Sequence, residues 1–538
     1  MEDKGALLAK LSEDYFSFMA AAYPVISLSD EFHFFPRAGK AIQYLNRLDS
    51  LDEQKIKQDI AQINNLKISL EKINLRAMDL ETQADYRLLS QSMAGFLQEF
   101  QQIKIWQEDP TLYLKIIILG IEQIADKLSI IKTNNPGPLI SRIRQIPRLL
   151  NEARLNLKKI PLPYQESAIK MAEAISAHLK NRIHLSLNKK PSRKEIIKLS
   201  RIAIQSLGDF KIFLKRAPSS KMPVKNRKII EDILINRFSC RRSLAEIFEI
   251  ASDEYEKTKA QLKMTANHIS PSKTWQGILS GYELNAKNAR QLLNLYSGQI
   301  RNLKNFLLEH DLISISRAQN IRVKQTPSYL TPIRASASYS CPITCRQKEP
   351  AFFYVSIDKL KENIHQEYIF VAAHETYPGH HLLDSIRRNI KNPIRRQIES
   401  PLFYEGWASY AERLIDQFNY QSNPTQKLVG LRRQAWRAIR AKLDVGIRIN
   451  KMSLADASKQ LRWLGYSPGR VKAMLKHYTL TYGYQLCYTV GKFEIERLRD
   501  KFSPLLGIKK FHNSLLAGGQ LPFDLIKKKL ESLCRKNS

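Results

Sequence analysis

Residues 351–381 read AFFYVSIDKLKENIHQEYIFVAAHETYPGHH. The stretch opens on a short run of aromatic and β-branched residues, Ala351–Ile357, whose pattern predicts a strand. It passes into helical apolar spacing over about 359–377 and ends on three histidines within eight residues, His374, His380 and His381. A strand handing over to a helix that carries clustered histidines sets the expectation for the whole chain: an α-helical body with a small sheet beside a possible metal helix.

Upstream, apolar residues at helical spacing predict helices over 53–75, 82–107, 112–132, 164–185, 193–217, 226–265 and 284–308. Pro110, Pro136-Gly137-Pro138, Pro161, Pro163, Pro191, Pro218 and Pro271 punctuate them. Near 320 the texture changes. Ile321–Val323, Ser336–Ser340 and Ala351–Ile357 read as short strands of an antiparallel sheet bounded by prolines. Downstream, helices are predicted over 379–391, 401–417, 424–450, 453–463, 468–478, 483–502, 508–517 and 522–533. No fixed-period repeat or Gly/Ser-rich linker is present. The expected division is a helical region over 1–320 and a metal-site region over 321–538, joined in one compact body.

The 538 residues are 43% hydrophobic and 25% charged, which is globular composition and excludes disordered and collagen-like classes. Five cysteines are too few and too unevenly numbered for a disulfide scaffold and fit a reducing compartment. The opening MEDKGALLAKLSED shows no basic stretch leading into an apolar core, so a cytoplasmic chain is expected. The greasiest run, Leu112–Ala125, is too short and too charged to span a bilayer. The formal net charge is +35. Residues 1–100 hold 11 basic and 15 acidic side chains, while 181–230 hold 14 and 2. Such an excess suits nucleic acid or an anionic membrane. Here it lies in amphipathic helical pattern without stacking aromatics or a nucleic-acid motif, so no nucleic acid is expected as a partner.

The chemistry sits at His374-Glu375 and at Glu405-Gly-Trp-Ala-Ser-Tyr-Ala-Glu412. Hydrolytic zinc takes three ligands from histidine and carboxylate, an open position for water, and a base nearby. Two ligands in His-Glu-x-x-His stand at i and i+4. Here i+4 is Pro378, and the next histidines stand at i+6 and i+7. On an ideal helix neither reaches the metal that His374 would hold. Pro378 and Gly379 can break the helix and bring His380 back. The expected site is one Zn2+ on His374, His380 and Glu405, with His381 the alternative to His380 and otherwise a group behind the ligands or facing substrate. Glu375 is the expected general base. Glu412, two turns beyond Glu405, is either a support for the site or a plain surface charge.

These two segments resemble the bacterial family catalogued as domain of unknown function 885, whose hallmark is His-Glu-x-x-Pro-Gly-His-His followed by Glu-Gly-Trp-Ala-x-Tyr-x-Glu. The similarity extends to Trp106–Tyr113, Arg144–Leu157, Phe352–Val355 and Gly483–Gly491. The resemblance implies a mostly helical, zincin-like fold, a metal in an interior cleft, and peptidase activity on short peptides. It supports the ligand set and base just given. One position departs from the pattern: Arg448 stands where the family commonly has histidine, which puts substrate contact or transition-state support there in question.

Further expectations follow for the supporting groups. Tyr488, with Tyr484 second, is the candidate donor to a tetrahedral oxyanion. Tyr354 and the edge of its strand are candidates for pairing with an extended peptide, and Arg448 for holding a carboxylate. Cys341 and Cys345 read as ordinary thiols. Arg387, Arg388, Lys391, Arg395 and Arg396 read as a solvated helix face. Two other functions compete: a non-catalytic metal- or peptide-binding scaffold, and an anion-binding basic protein.

Overall fold

The computed structural model describes all residues except 1–3, 76–77, 132–134, 182–189, 221–226, 285, 317–319, 332–333, 342–349, 358–362, 422, 479–480 and 537–538. Cys345 lies outside the described residues. The chain is mainly helical, as expected, and forms two compact units. The first comprises residues up to 223 with a return at 326–335. The second comprises 224–325, 336–341 and 345–538. The change of texture at 320 falls inside the second unit.

In the first unit, successive helices from Glu53 to Arg216 pack on one another. Their starts follow from side-chain caps: Asp52 accepts from the Gln54 and Lys55 amides, and Asp79 from Thr82. Two long helices escape the sequence reading, Lys4–Ala22 and Gly137–Asn156, as does the single turn Pro24–Ser27. The second has Pro136 and Pro138 at its start, Pro147 inside it, and a buried stripe of Leu139, Ile143, Ile146, Leu150 and Ala153. Packing of that stripe overrides the proline signal. A two-residue parallel pair, β1 (Ile160–Pro161) with β2 (Ser219–Ser220), closes the unit.

In the second unit the helix predicted over 226–265 is broken. The chain turns after Arg237, and a new helix starts at Leu244 under a capping box of Ser243 and Glu246. The sheet has the order β3 (Ile321–Gln325), β5 (Ala351–Val355), β4 (Ala337–Ser340). It is mixed rather than antiparallel: β4 runs antiparallel to β5, and β3 runs parallel to it. The connection from β3 to β4 is too long to be a hairpin, so nothing forces antiparallel pairing there. All five residues of β5 are buried, as its unbroken apolar run requires for a central strand. The helices that follow, Tyr368–Glu375, His380–Arg387, Pro401–Gln417, Pro424–Gly446 and Cys487–Leu506, build the site.

Candidate metal centre

The Tyr368–Glu375 helix does not continue through the motif. It stops at Glu375, turns through Thr376–Gly379, and a new helix starts at His380. In the turn the Gly379 amide donates to the Ala373 carbonyl at 2.9 Å. A Cβ on Gly379 would lie 1.8 Å from the His374 carbonyl oxygen, so only glycine lets the chain fold back this closely. The Trp407 indole ties the turn down by donating to the Pro378 carbonyl at 2.8 Å. The fold-back sets the His374 and His380 rings 4.7 Å apart at 79°.

Glu405 comes from the Pro401–Gln417 helix and completes a buried triad. Donor atoms of His374, His380 and Glu405 lie within 4.8 Å of one another. Glu405 Oε2 stands 3.4 Å from His374 Nε2 and 3.5 Å from His380 Nε2. Ligands on a tetrahedral metal with bonds of about 2.0–2.1 Å are separated by about 3.3–3.4 Å, so this spacing fits an ion better than direct hydrogen bonds. Glu405 Oε2 is buried and has no hydrogen-bond partner among the described residues. Its other oxygen is occupied: the Tyr484 hydroxyl donates to Oε1, and the Tyr488 hydroxyl does so at 3.1 Å. Nitrogen, nitrogen and carboxylate oxygen form a donor set that suits zinc.

Behind the triad is a layer of charge. Glu412 Oε1 is 3.1 Å from His374 Nδ1. The same oxygen accepts from Arg437 at 2.6 Å and from Arg433 at 3.0 Å. Arg433 also pairs with Glu367, which Arg432 bonds at 2.8 Å. Burial pushes the Glu412 carboxyl up, but Arg433 and Arg437 outweigh it and hold the group well below the carboxylate range. Glu405 is likewise held well below that range: burial opposes ionisation, and the hydrogen-bonding reach of His374 and His380 outweighs it. For His374, burial and then Arg437 act downward, yet Glu405 and Glu412 raise it above its ordinary value.

Glu375 is only partly buried, in contrast to the buried triad. Its Oε2 accepts the Tyr339 amide of β4 at 3.0 Å. His381 is not in the triad. Its ring packs edge-on to Tyr377 and Tyr339, and neither ring nitrogen has a partner among the described residues. Burial pushes it down to about 3. Tyr354 lies on the central strand, between Lys324 and Ser338, so both edges of its strand are already paired and cannot take up a peptide. The edge strands of this sheet are β3 and β4. Arg448 turns back on its own helix end, bonding the Asp444 carbonyl and lying 3.5 Å from its carboxylate. Asp444 in turn accepts the Gly483 amide at 3.1 Å, at the start of the segment carrying Tyr484 and Tyr488. The solvated-face reading fails for Arg387 and Arg395, which are buried; Arg387 pairs with Asp384 at 2.7 Å. Arg433 and Arg437 were missed because basic residues are everywhere in this chain. Their i, i+4 spacing, continued by Gln426 and Arg440 at i−7 and i+7 from Arg433, was the available signal.

The family model described as "Bacterial protein of unknown function (DUF885)" matches residues 37–530. The chain belongs to this family. No curated protein matches the chain. Two solved structures share the DUF885 chain's fold. A "putative lipoprotein" from Colwellia psychrerythraea superposes with a TM-score of 0.79 at 17% identity, over 98% of this chain and 99% of its own. A "putative lipoprotein of unknown function" from Shewanella oneidensis gives 0.73 at 15%, over 99% and 100%. Both neighbours are described as lipoproteins, which runs against the expected cytoplasmic location. Sparse cysteines exclude a disulfide scaffold but do not select a compartment. No helix among the described residues is long and apolar enough to cross a membrane.

Proposed function

We propose that this DUF885 protein is a zinc-dependent hydrolase that cleaves peptide bonds in short peptides. The observation that carries the reading is the buried convergence of His374, His380 and Glu405, with Glu405 Oε2 left without a hydrogen-bond partner among the described residues. Zinc held by these three would supply Lewis acidity, polarising a carbonyl and lowering the pKa of water. Glu375, next in sequence to His374 and open toward solvent, takes a proton from the attacking water and returns it to the leaving amine. Its tie to the Tyr339 amide fixes which oxygen stays available for that task. Tyr484 and Tyr488 position Glu405 by holding Oε1, so that Oε2 faces the histidines. Burial, then the nearby Glu405 charge, raises both phenols, so both stay protonated donors.

Elemental analysis of the purified chain tests the site. About one zinc per chain is expected, lost in His374→Ala, His380→Ala and Glu405→Ala but kept in His381→Ala. Glu375→Gln should keep the metal and lose turnover of a peptide library by about 10²–10⁴-fold. Absence of metal after zinc is added back would overturn the proposal. Unchanged turnover in Glu375→Gln would remove the base assignment alone.

A further inference from the structure

The first unit carries a surface that the proposed chemistry does not use. The Lys190–Arg216 helix buries Ile196, Ala203, Leu207, Phe210 and Leu214 along one side. At about 100° per residue, Lys194, Lys198, Arg201, Gln205, Asp209, Ile212 and Arg216 fall on the opposite side, flanked by Ile197, Ile202 and Lys215. Five basic residues on this face, Lys194, Lys198, Arg201, Lys215 and Arg216, are exposed and make no ion pair among the described residues. Its two acids are already engaged: Glu195 pairs with Arg144 of the neighbouring helix at 2.8 Å, and Asp209 takes the Gln205 amide at 3.1 Å. Between the cations stand three isoleucines, Ile197, Ile202 and Ile212, exposed by 39%, 49% and 48%.

We infer that this face is a docking surface for an anionic phospholipid bilayer. Its charge complements such a surface: cations without an ion pair among the described residues lie along one side of the helix, within a segment of 14 basic and 2 acidic residues in a chain of net charge +35. The isoleucines add apolar area that can enter the boundary between headgroups and acyl chains. A nucleic acid is the less suitable partner. Cations hold the backbone of either nucleic acid, but single strands also need stacking aromatics and duplex sequence is read by polar side chains at base edges; this face offers isoleucine at those places. Attachment here is peripheral, as the absence of a spanning helix among the described residues allows.

The test is flotation of the full chain with vesicles of phosphatidylcholine alone and of phosphatidylcholine with phosphatidylglycerol at about three to one. The wild-type chain should float only with the mixed vesicles, and less as salt is raised. Lys198→Glu with Arg201→Glu should weaken binding by about tenfold or more. Ile202→Ser with Ile212→Ser should weaken it at unchanged charge. Asp209→Lys removes an exposed acid and should tighten binding; this gain keeps the test decisive if the loss variants misfold. Equal binding to both vesicle types, or variants indistinguishable from wild type, overturns the inference. So does retention of the chain by duplex DNA through these same residues without any flotation.

Discussion

Glu405 and Glu412 stand seven residues apart on one helix and divide the labour of the site between them. Glu405 gives one oxygen to two phenols and turns the other to His374 and His380. Glu412 sits behind His374 and fixes its ring. An arginine can only donate, so the 3.1 Å approach of Arg437 to His374 Nδ1 is best read through the acceptor they share, Glu412 Oε1. With Nδ1–H directed at Glu412, the Nε2 lone pair faces the triad. A carboxylate placed behind a metal-binding histidine typically contributes about 10–100-fold in metal affinity. Glu412→Gln is therefore expected to weaken zinc binding by that order in a chelator competition; affinity equal to wild type would show that Glu412 has no hold on His374. Glu412→Ala removes the shared acceptor and strands the buried Arg437 guanidinium, while Arg433 keeps Glu367; this should cost about 3–5 kcal/mol of stability in denaturant titration.

At the scale of elements, backbone contacts bring these side chains together. The Pro401–Gln417 and Cys487–Leu506 helices cross glycine on glycine: a Cβ on Gly491 would lie 2.0 Å from the Leu402 carbonyl oxygen and 2.7 Å from Gly406 Cα. That approach sets Tyr484 and Tyr488 against Glu405. Gly491→Ala must separate the helices, so a loss of about 3 kcal/mol or more is expected in denaturant titration, together with weaker metal retention. A tie at the far side titrates. His512 takes the Tyr410 hydroxyl on Nε2 at 2.8 Å, and its Nδ1 donates to the Leu312 carbonyl at 2.8 Å, so the ring is held neutral. Burial pushes it down to about 4. The folded state therefore binds this proton more weakly than the unfolded state, and stability is lost as pH falls from about 6.5 to about 4, by about 1.4 kcal/mol per unit. Comparing denaturation at pH 7 and pH 5 in wild type and His512→Asn isolates the effect: the variant should be less stable at pH 7 and show a shallower loss. The residues of the triad were legible in the sequence because few residue types can bind a metal, and His374, His380 and Glu405 belong to those types and stand in two compact motifs. The turn that lets His380 reach the triad was legible only as a break at Pro378-Gly379. Its fold-back depends on Trp407 and on contacts with no local signature. The mixed sheet was illegible for the same reason: Tyr354 reads as strand, but which strand lies in the centre is decided by residues far away in the chain.

For the whole molecule, the two compact units make a single unfolding free energy poorly defined. Any test of the metal at this scale therefore needs a probe confined to one of them. Tryptophan provides it: Trp275, Trp407, Trp436 and Trp463 belong to the second unit, and Trp106 alone to the first. All three proposed ligands also lie in the second unit. An ion that binds the folded site and not the unfolded chain stabilises by mass action, about 2.7 kcal/mol at a free concentration one hundred times its Kd. In a Trp106→Phe background, the tryptophan-monitored unfolding of the second unit should shift by about that amount on zinc addition. The shift should vanish in His380→Ala. It should persist in Glu375→Gln, which keeps every ligand and changes only the base. A shift that survives His380→Ala would place the metal elsewhere in this histidine- and glutamate-bearing unit. No shift in any variant would mean that the buried carboxylate of Glu405 is balanced by the protons of His374 and His380 rather than by an ion.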